Sequence, residues 1–207
     1  MSERKIVLIG YSGHGLVVAE TAKDMHMNLC FYAEKQAVTQ NPYLLDYIGF
    51  EGDDAFSSWG ESYDFILGIG NNAIRKKVAE LILSKNKELL NVINTSANIS
   101  EYTTIGQGNF IAKNVVINIL AKIGDYCILN TGCVIEHDCD IANGVHVAPG
   151  AVILGNVKVG EQSFIGANTV VKENIKTGRN VIIGAGSVVL KDVPDDSKIV
   201  GNPGKAI

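Results

Sequence analysis

What this chain does without narrows its possibilities. Eighteen Lys and Arg stand against twenty-two Asp and Glu, a formal net charge of −4, and no stretch is strongly basic. The positive stripe that captures a nucleic-acid backbone is therefore missing, and no nucleic-acid partner is expected. No apolar run approaches the roughly 20 residues that span a bilayer. The opening MSERKIVLIG is also too short for a signal h-region and runs into Gly-rich turn chemistry. No membrane association and a cytoplasmic setting are expected. Cysteine is scarce, with only Cys30, Cys127, Cys133 and Cys139, and in a reducing compartment these stay unpaired. Histidine is equally scarce, at four, so any two that fall close together carry weight. What remains, 207 residues with 46% apolar and 19% charged, can build one large or two small soluble domains with real cores.

Two patterns divide the chain. Residues 1–93 alternate short apolar runs with helical spacing. KIVLIG (5–10), LCFYA (29–33) and YDFILGIG (63–70) read as buried strands, and ELLNVI (88–93) closes the set. GLVVAETAKDM (15–25) and NNAIRKKVAELILSK (71–85) read as helices, the second capped by Asn71 or Asn72 with Ile74, Val78, Leu81 and Ile82 as its apolar stripe. Residues 36–62 are irregular. Strand–helix–strand order with short links predicts a small parallel sheet flanked by helices.

Residues 94–207 follow a different rule. From Ile99 every sixth residue is aliphatic as far as Val189, with Thr177 the one exception. A small or medium residue sits two positions before each, and Gly often follows. An unbroken six-residue period of this length marks a parallel β-helix. Each unit supplies one short strand and one corner. The aliphatic points inward onto its counterpart one coil away, and Gly or Asn accommodates the positive φ of the corner. Cys127, Cys133 and Cys139 all fall on the small inward position, one per face of a coil, where core packing outweighs a metal site.

The stretch VIEHDCD (134–140) places a histidine between two acids in a region otherwise built of Ile, Val and Gly. His137 lies two residues past the inward Ile135, so its side chain leaves the prism at a corner, and a neighbouring carboxylate raises imidazole basicity and fixes its tautomer. His146, nine residues on, is also off the core positions. The N-terminal Gly10-Tyr11-Ser12-Gly13-His14-Gly15 joins the first strand to the first helix. Its spacing is not the Gly-x-Gly-x-x-Gly of dinucleotide binding, so no NAD site is expected. Its glycines do allow close approach of a phosphate to a helix N-terminus.

The hexapeptide rhythm and the ending VPDDSKIVGNPGKAI resemble the left-handed β-helix acyltransferases of the hexapeptide-repeat superfamily, which have three hexapeptides per coil (roughly five coils here) and form trimers. GYSGHGLV (10–17), IGNNAIRKK (69–77) and NTGCVIEHDC (130–139), in that order, resemble the bacterial nucleotide-sugar N-acetyltransferases of the bacillosamine-pathway type. That resemblance implies an α/β N-terminal Rossmann-like domain (1–93) that binds a nucleotide sugar. It implies a C-terminal left-handed parallel β-helix (94–207) that binds acetyl-CoA and carries the catalysis, in a homotrimer with sites at subunit interfaces. The catalytic base falls on His137 and the acid that tunes it on Asp138. His146, Gly155, Ala167 and Ala185 fall along the acetyl-CoA site, Gly155 offering a backbone N–H to the oxyanion. Ser12, Gly13 and His14 fall on the diphosphate, and Glu34 and Lys35 on a pair that reads base and ribose. Gly70, Asn71 and Asn72 line the same cleft, and Asn130 faces the sugar. Arg75 is either a solvated helix residue or a phosphate contact. Lys158, Lys172, Lys191 and Lys205 are candidates for the CoA phosphates.

The implied reaction is N-acetylation, with acetyl-CoA as cosubstrate, of the 4-amino group of a nucleotide-linked 4-amino-4,6-dideoxy sugar for surface glycan or glycoprotein synthesis, UDP being the nucleotide expected first. O-acetylation of a sugar hydroxyl such as that of a sialic acid, or non-catalytic sensing of a nucleotide sugar, are the alternatives. A metal-dependent β-helix hydratase needs three histidines and the prism offers two, so no metal is expected. The regular Thr ranks of ice-binding helices are absent.

Overall fold

The computed structural model describes residues 4–207. The N-terminal part is a parallel four-stranded sheet in the order β3-β2-β1-β4. Strand β1 (Ile6–Ile9) is fully buried, as its uninterrupted apolar sequence requires. Helix α1 (Gly13–Asp24) leads to β2 (Leu29–Ala33). The segment read as irregular contributes a short edge strand, β3 (Asp46–Tyr47), and one 3₁₀ turn at Ser57–Gly60. Strand β4 (Asp64–Leu67) and helix α2 (Asn72–Ser84) follow. The stretch ELLNVI is not one strand. Leu89 bridges to Phe65 beside β4, whereas Val92–Ile93 already pair with Phe110–Ile111 of the second architecture.

Helix α2 begins where its cap requires, with Asn71 Oδ1 accepting the Ile74 N–H at 3.0 Å. Its buried stripe differs from the one the apolar residues suggest. Val78, Ala79 and Ile82 are buried, but Ile74 is exposed and Arg75 is only 1% exposed. The helix is covered on two sides, by its own sheet and by the C-terminal prism, so the inward arc includes a position that apolar periodicity assigns to solvent.

From Val92 the chain winds into a triangular prism of two-residue strands. Three faces carry eight, six and five strands. Partners along each face are parallel save for the final Lys205–Ala206, which runs antiparallel to Lys198–Val200. The stack is about six coils tall, one more than the count from Ile99 indicates, because it starts before that residue and continues past Val189. The stepped aliphatics point inward and nearly all are buried, as are Cys127, Cys133 and Cys139, one on each face. Burial pushes the thiols of Cys127 and Cys133 up to about 12, so they behave as core packing.

Corner geometry departs from the sequence reading in one respect. From Ile105 to Ile183, positive φ recurs three residues past each inward position, at Gly108, Asn114, Leu120, Tyr126, Gly132, Asp138 and so on up the stack. The glycine directly after the aliphatic has a different purpose: a Cβ on Gly160 would lie 2.4 Å from the Gly178 carbonyl carbon, and one on Gly166 2.6 Å from the Ala185 nitrogen. Those glycines let successive coils close to hydrogen-bonding distance.

The outward residues distinguish the faces. The first face presents Phe110, Ile128, His146 and Phe164 to the N-terminal domain. The second presents Val116, Val134, Val152, Val170 and Val188, all part-exposed. The third presents Thr104, Lys122, Asp140, Lys158 and Lys176.

Candidate active site

His137 and Asp138 sit on the corner between the second and third faces, between the strands Val134–Ile135 and Asp140–Ile141. Asp138 has φ +60°, a conformation Asp tolerates better than most residues. This turns its carboxylate back along the chain, where Oδ2 lies 2.8 Å from His137 Nδ1. The contact directs the Nδ1 proton toward Asp138 and leaves Nε2 as the free base nitrogen. The imidazole is more than half exposed. One coil above, Gly155 occupies the equivalent corner position, and a Cβ there would fall 2.7 Å from both Cε1 and Nε2 of His137. Its missing side chain is what makes room for the ring. The Gly155 N–H finds no acceptor among the described residues. Glu136 is tied instead to Asn118, whose Nδ2 donates to it at 2.8 Å.

The other predicted residues do not gather around His137. His146 projects from the first face into the seam with the N-terminal domain. There it meets His14 (ring centroids 6.4 Å apart), Phe164 (4.9 Å) and Asn130 (Nδ2 to Nε2, 3.4 Å). Ala167 and Ala185 lie one coil apart on the corner between the first and second faces. Within one chain, the whole width of the second face separates them from His137.

Arg75, read as either solvated or phosphate-binding, is neither. Its guanidinium crosses the seam and donates to Tyr126 O (2.8 Å) and Gly144 O (2.8 Å) of the prism. On its own side it donates to Ile69 O, Gly70 O and Asn72 Oδ1. Among the described residues no carboxylate pairs with it, and burial holds its pKa down at about 10. Asn72 adds Nδ2 bonds to Gln162 O (2.9 Å) and Ser163 O (3.1 Å), and Lys113 pairs with Glu20 at 2.6 Å. The seam therefore fixes the 69–72 loop against the prism.

Burial, with the Arg75 charge adding to it, lowers His14 and His146 to about 4. Their folded values lie below the ordinary value of about 6.5, so the unfolded chain binds more protons between those limits. Stability is fully present above pH 6.5 and is lost as pH falls toward 4. At about 1.4 kcal/mol per pH unit, each ring can contribute on the order of 3 kcal/mol to that loss. Urea midpoints measured from pH 7 to 4 are expected to fall steeply in this window, and the slope to flatten in His14→Gln/His146→Gln.

The N-terminal motif is shaped by close approach. A Cβ on Gly15 would lie 2.2 Å from Gly10 O, and one on Gly68 2.0 Å from the same oxygen, so these glycines let the N-terminus of α1 press onto the strand ends. Gly13 has open space around it. Ser12 caps the helix without a side-chain bond, leaving first-turn N–H groups directed outward. Beside this end opens a cavity of about 510 Å³, with Ser12, Glu34, Lys35, Gly70 and Asn71 in its wall. Glu34 accepts the Tyr11 N–H (3.2 Å) and the Lys35 N–H (3.1 Å). Glu51, in the segment read as irregular, lines the same cavity. Its identity alone gave no signal, because only the tertiary path of that segment brings it there.

Residues 5–82 match the family of the PglD N-terminal domain, and residues 120–155 and 156–191 match the bacterial transferase hexapeptide family. The acetyltransferase domain of PglB from Neisseria gonorrhoeae FA1090, solved in complex with acetyl coenzyme A, superposes with a TM-score of 0.92 at 30% identity, covering 100% of both chains. PerB from Caulobacter crescentus, solved with CoA and GDP-perosamine, gives 0.90 at 30% identity, covering 98% of this chain and 97% of that one. A GDP-perosamine N-acetyltransferase of Escherichia coli O157:H7 is 33% identical over 103 residues, 50% of this chain and 47% of that one. The chain spans about half the length of the curated relatives it matches. With both halves accounted for in sequence and the whole chain in structure, it belongs to the hexapeptide-repeat transferases that carry a PglD-type N-terminal domain.

Proposed function

We propose that the protein transfers an acetyl group from acetyl-CoA to the 4-amino group of a nucleotide-linked 4-amino-4,6-dideoxy sugar, with His137 as general base. The observation that carries this reading is the His137–Asp138 pair on an exposed corner, with Gly155 cleared above it. The amine attacks the thioester carbonyl carbon. As the C–N bond forms, the nitrogen becomes cationic and gives its proton to His137 Nε2, while Asp138 stabilises the resulting imidazolium. The Gly155 N–H is placed to receive the developing oxyanion. Collapse breaks the C–S bond, and the thiolate leaves as CoA with the proton from His137. No covalent enzyme intermediate is needed.

The N-terminal sheet serves as a Rossmann-like nucleotide-binding unit. Its cavity lies outside the carboxyl ends of the strands beside the N-terminus of α1, the usual ligand crevice of open α/β sheets. Ser12 and Gly13 hold the diphosphate and Glu34 the ribose. The second face, a rank of part-exposed valines with His137 at one edge and Ala167 and Ala185 at the other, is what a homotrimer would bury. Packing copies around this face brings the base edge of one beside the alanine edge of the next and completes a CoA channel that one chain lacks. Unpaired cysteines fit a cytoplasmic setting.

The test is thiol release from acetyl-CoA with a panel of nucleotide-linked amino and hydroxy sugars. Turnover confined to amino sugars supports the reading, and turnover confined to hydroxy sugars overturns it. Gly155→Ala probes the geometry. Its added methyl collides with the His137 ring, so kcat is expected to fall at least about tenfold, the scale of a misplaced catalytic group. The unfolding midpoint should hardly move, because residue 155 has no positive φ to strain.

A further inference from the structure

The N-terminal cavity contains a polar group that nothing among the described residues answers. Glu51 is only 7% exposed, and its Oε2 is buried without a hydrogen-bond donor among the described residues. Glu34 already accepts one backbone N–H on each oxygen and keeps lone pairs for further donors, whereas Glu51 shares its cavity wall with Phe50 and with Ile74, Val78 and Leu81 of α2. Lys35 Nζ stands 5.9 Å from the Phe50 centroid. Gly52 keeps that ring uncovered, since a Cβ there would lie 2.5 Å from it. The result is a slot with greasy sides in which Glu51 is the carboxyl group left without a donor among the described residues. Burial, assisted by the Glu34 charge, raises that carboxyl above the ordinary range, as expected of a group that lacks a partner until a ligand supplies one.

We propose that this slot takes the base of the nucleotide and that the base is guanine, held by its N1–H and N2–H donors against the Glu51 carboxylate. The inference rests on the nucleotide-sugar reading above and names its nucleotide. A carboxylate is acceptor-only and is best answered by two parallel donors. Among the common bases, guanine alone presents two adjacent N–H donors on one edge. Uracil and thymine present a single N–H between two carbonyl oxygens, which would face the carboxylate unfavourably. The ribose hydroxyls, the other paired donors in a nucleotide, fall to Glu34 at the end of β2, next to the diphosphate end of the cavity. The proposal differs from the expectation of UDP, which rests on resemblance, and the two are separated by the experiment below.

The experiment compares thiol release with GDP-, UDP- and dTDP-linked 4-amino-4,6-dideoxy sugars, for the native protein and Glu51→Gln. Calorimetric titration with GDP and with UDP accompanies it. Gln keeps the shape but cannot accept both donors. The native protein is expected to favour the GDP-sugar by about 100-fold or more in kcat/KM, since a site built to pair with donors rejects analogues that lack them. Glu51→Gln is expected to cut that preference at least tenfold. No GDP preference, or a preference that survives the substitution, overturns the proposal. An equal loss with GDP- and UDP-sugars assigns Glu51 to the ribose and overturns it too. Should Glu51→Gln fail to fold, Glu51→Asp withdraws the carboxylate by one methylene and is judged by the same ratio. Absence of thiol release with every sugar would sink the acetyl-transfer reading. Calorimetry would still decide the base, because it involves no thioester chemistry.

Discussion

His137→Ala is expected to lower kcat for acetyl transfer by about 10²–10⁴-fold, the usual contribution of a positioned base, with substrate affinities little changed. The imidazole is exposed and touches no core residue, so its removal should leave thermal unfolding in place. That separation of activity from stability is what marks a base rather than a packing residue. Stopped assays of thiol release beside a melting curve are sufficient, and a His137→Ala protein with native kcat removes the assignment. Asp138→Asn is the sharper companion. Asn accepts the +60° φ that Asp138 adopts, as Asn114, Asn156 and Asn168 do at equivalent corners, so the turn is kept. Only the negative charge opposite Nδ1 is lost. The imidazolium formed during the reaction then goes unstabilised and the tautomer is no longer fixed. The expected fall in kcat is smaller than for His137→Ala, because the base itself remains.

Arg75→Met is expected to cost about 3–5 kcal/mol of stability, the scale for stripping a buried charged group from its partners. Two terms compete. Removing a buried cation with no acid beside it relieves desolvation, which favours the variant. Against this, five oxygens on both sides of the seam lose their donor together, and Gly144 O and Tyr126 O are inside where water does not readily replace it. With five acceptors against one charge, the loss wins. Arg75→Lys should recover only part, since a compact ammonium has three donors and cannot reach both sides with a planar fork. Urea midpoints measure both. The same variants are expected to raise KM for the nucleotide sugar, because the 69–72 loop that borders its cavity is anchored through this side chain.

Much of this was legible beforehand, for a physical reason. A coil that buries one aliphatic per side writes its period directly into the chain, so the prism and the three inward cysteines followed from spacing. His137 and Asp138 were legible because a corner projects its residues outward and adjacent residues must meet. What escaped were features created by contact between the halves. Arg75 sits where helical periodicity predicts solvent, and nothing local announces that a second domain covers that face. The outward rank Phe110, Ile128, His146 and Phe164, eighteen residues apart and apolar save for the histidine, was a usable sign of such a cover. His14 and His146 are far apart in the chain and meet only across the seam. Gly and Asn do take the positive φ of the corners, as at Gly132 and Asn156, but the glycines directly after the aliphatic serve clearance between layers, which spacing alone does not separate from turn conformation. Glu51 lies in a stretch without period, where a residue's surroundings cannot be inferred from its neighbours.

Within the prism each coil pairs only with those directly above and below, so loosening of the stack has to start at an end and travel inward. His137 belongs to the third of the six rungs of the second face. Its amides should be among the slowest to trade hydrogen for deuterium, although its side chain is open to water. If His137 is the base proposed above, its place on a slowly opening layer would let the N-terminal lobe breathe while the imidazole keeps its aim.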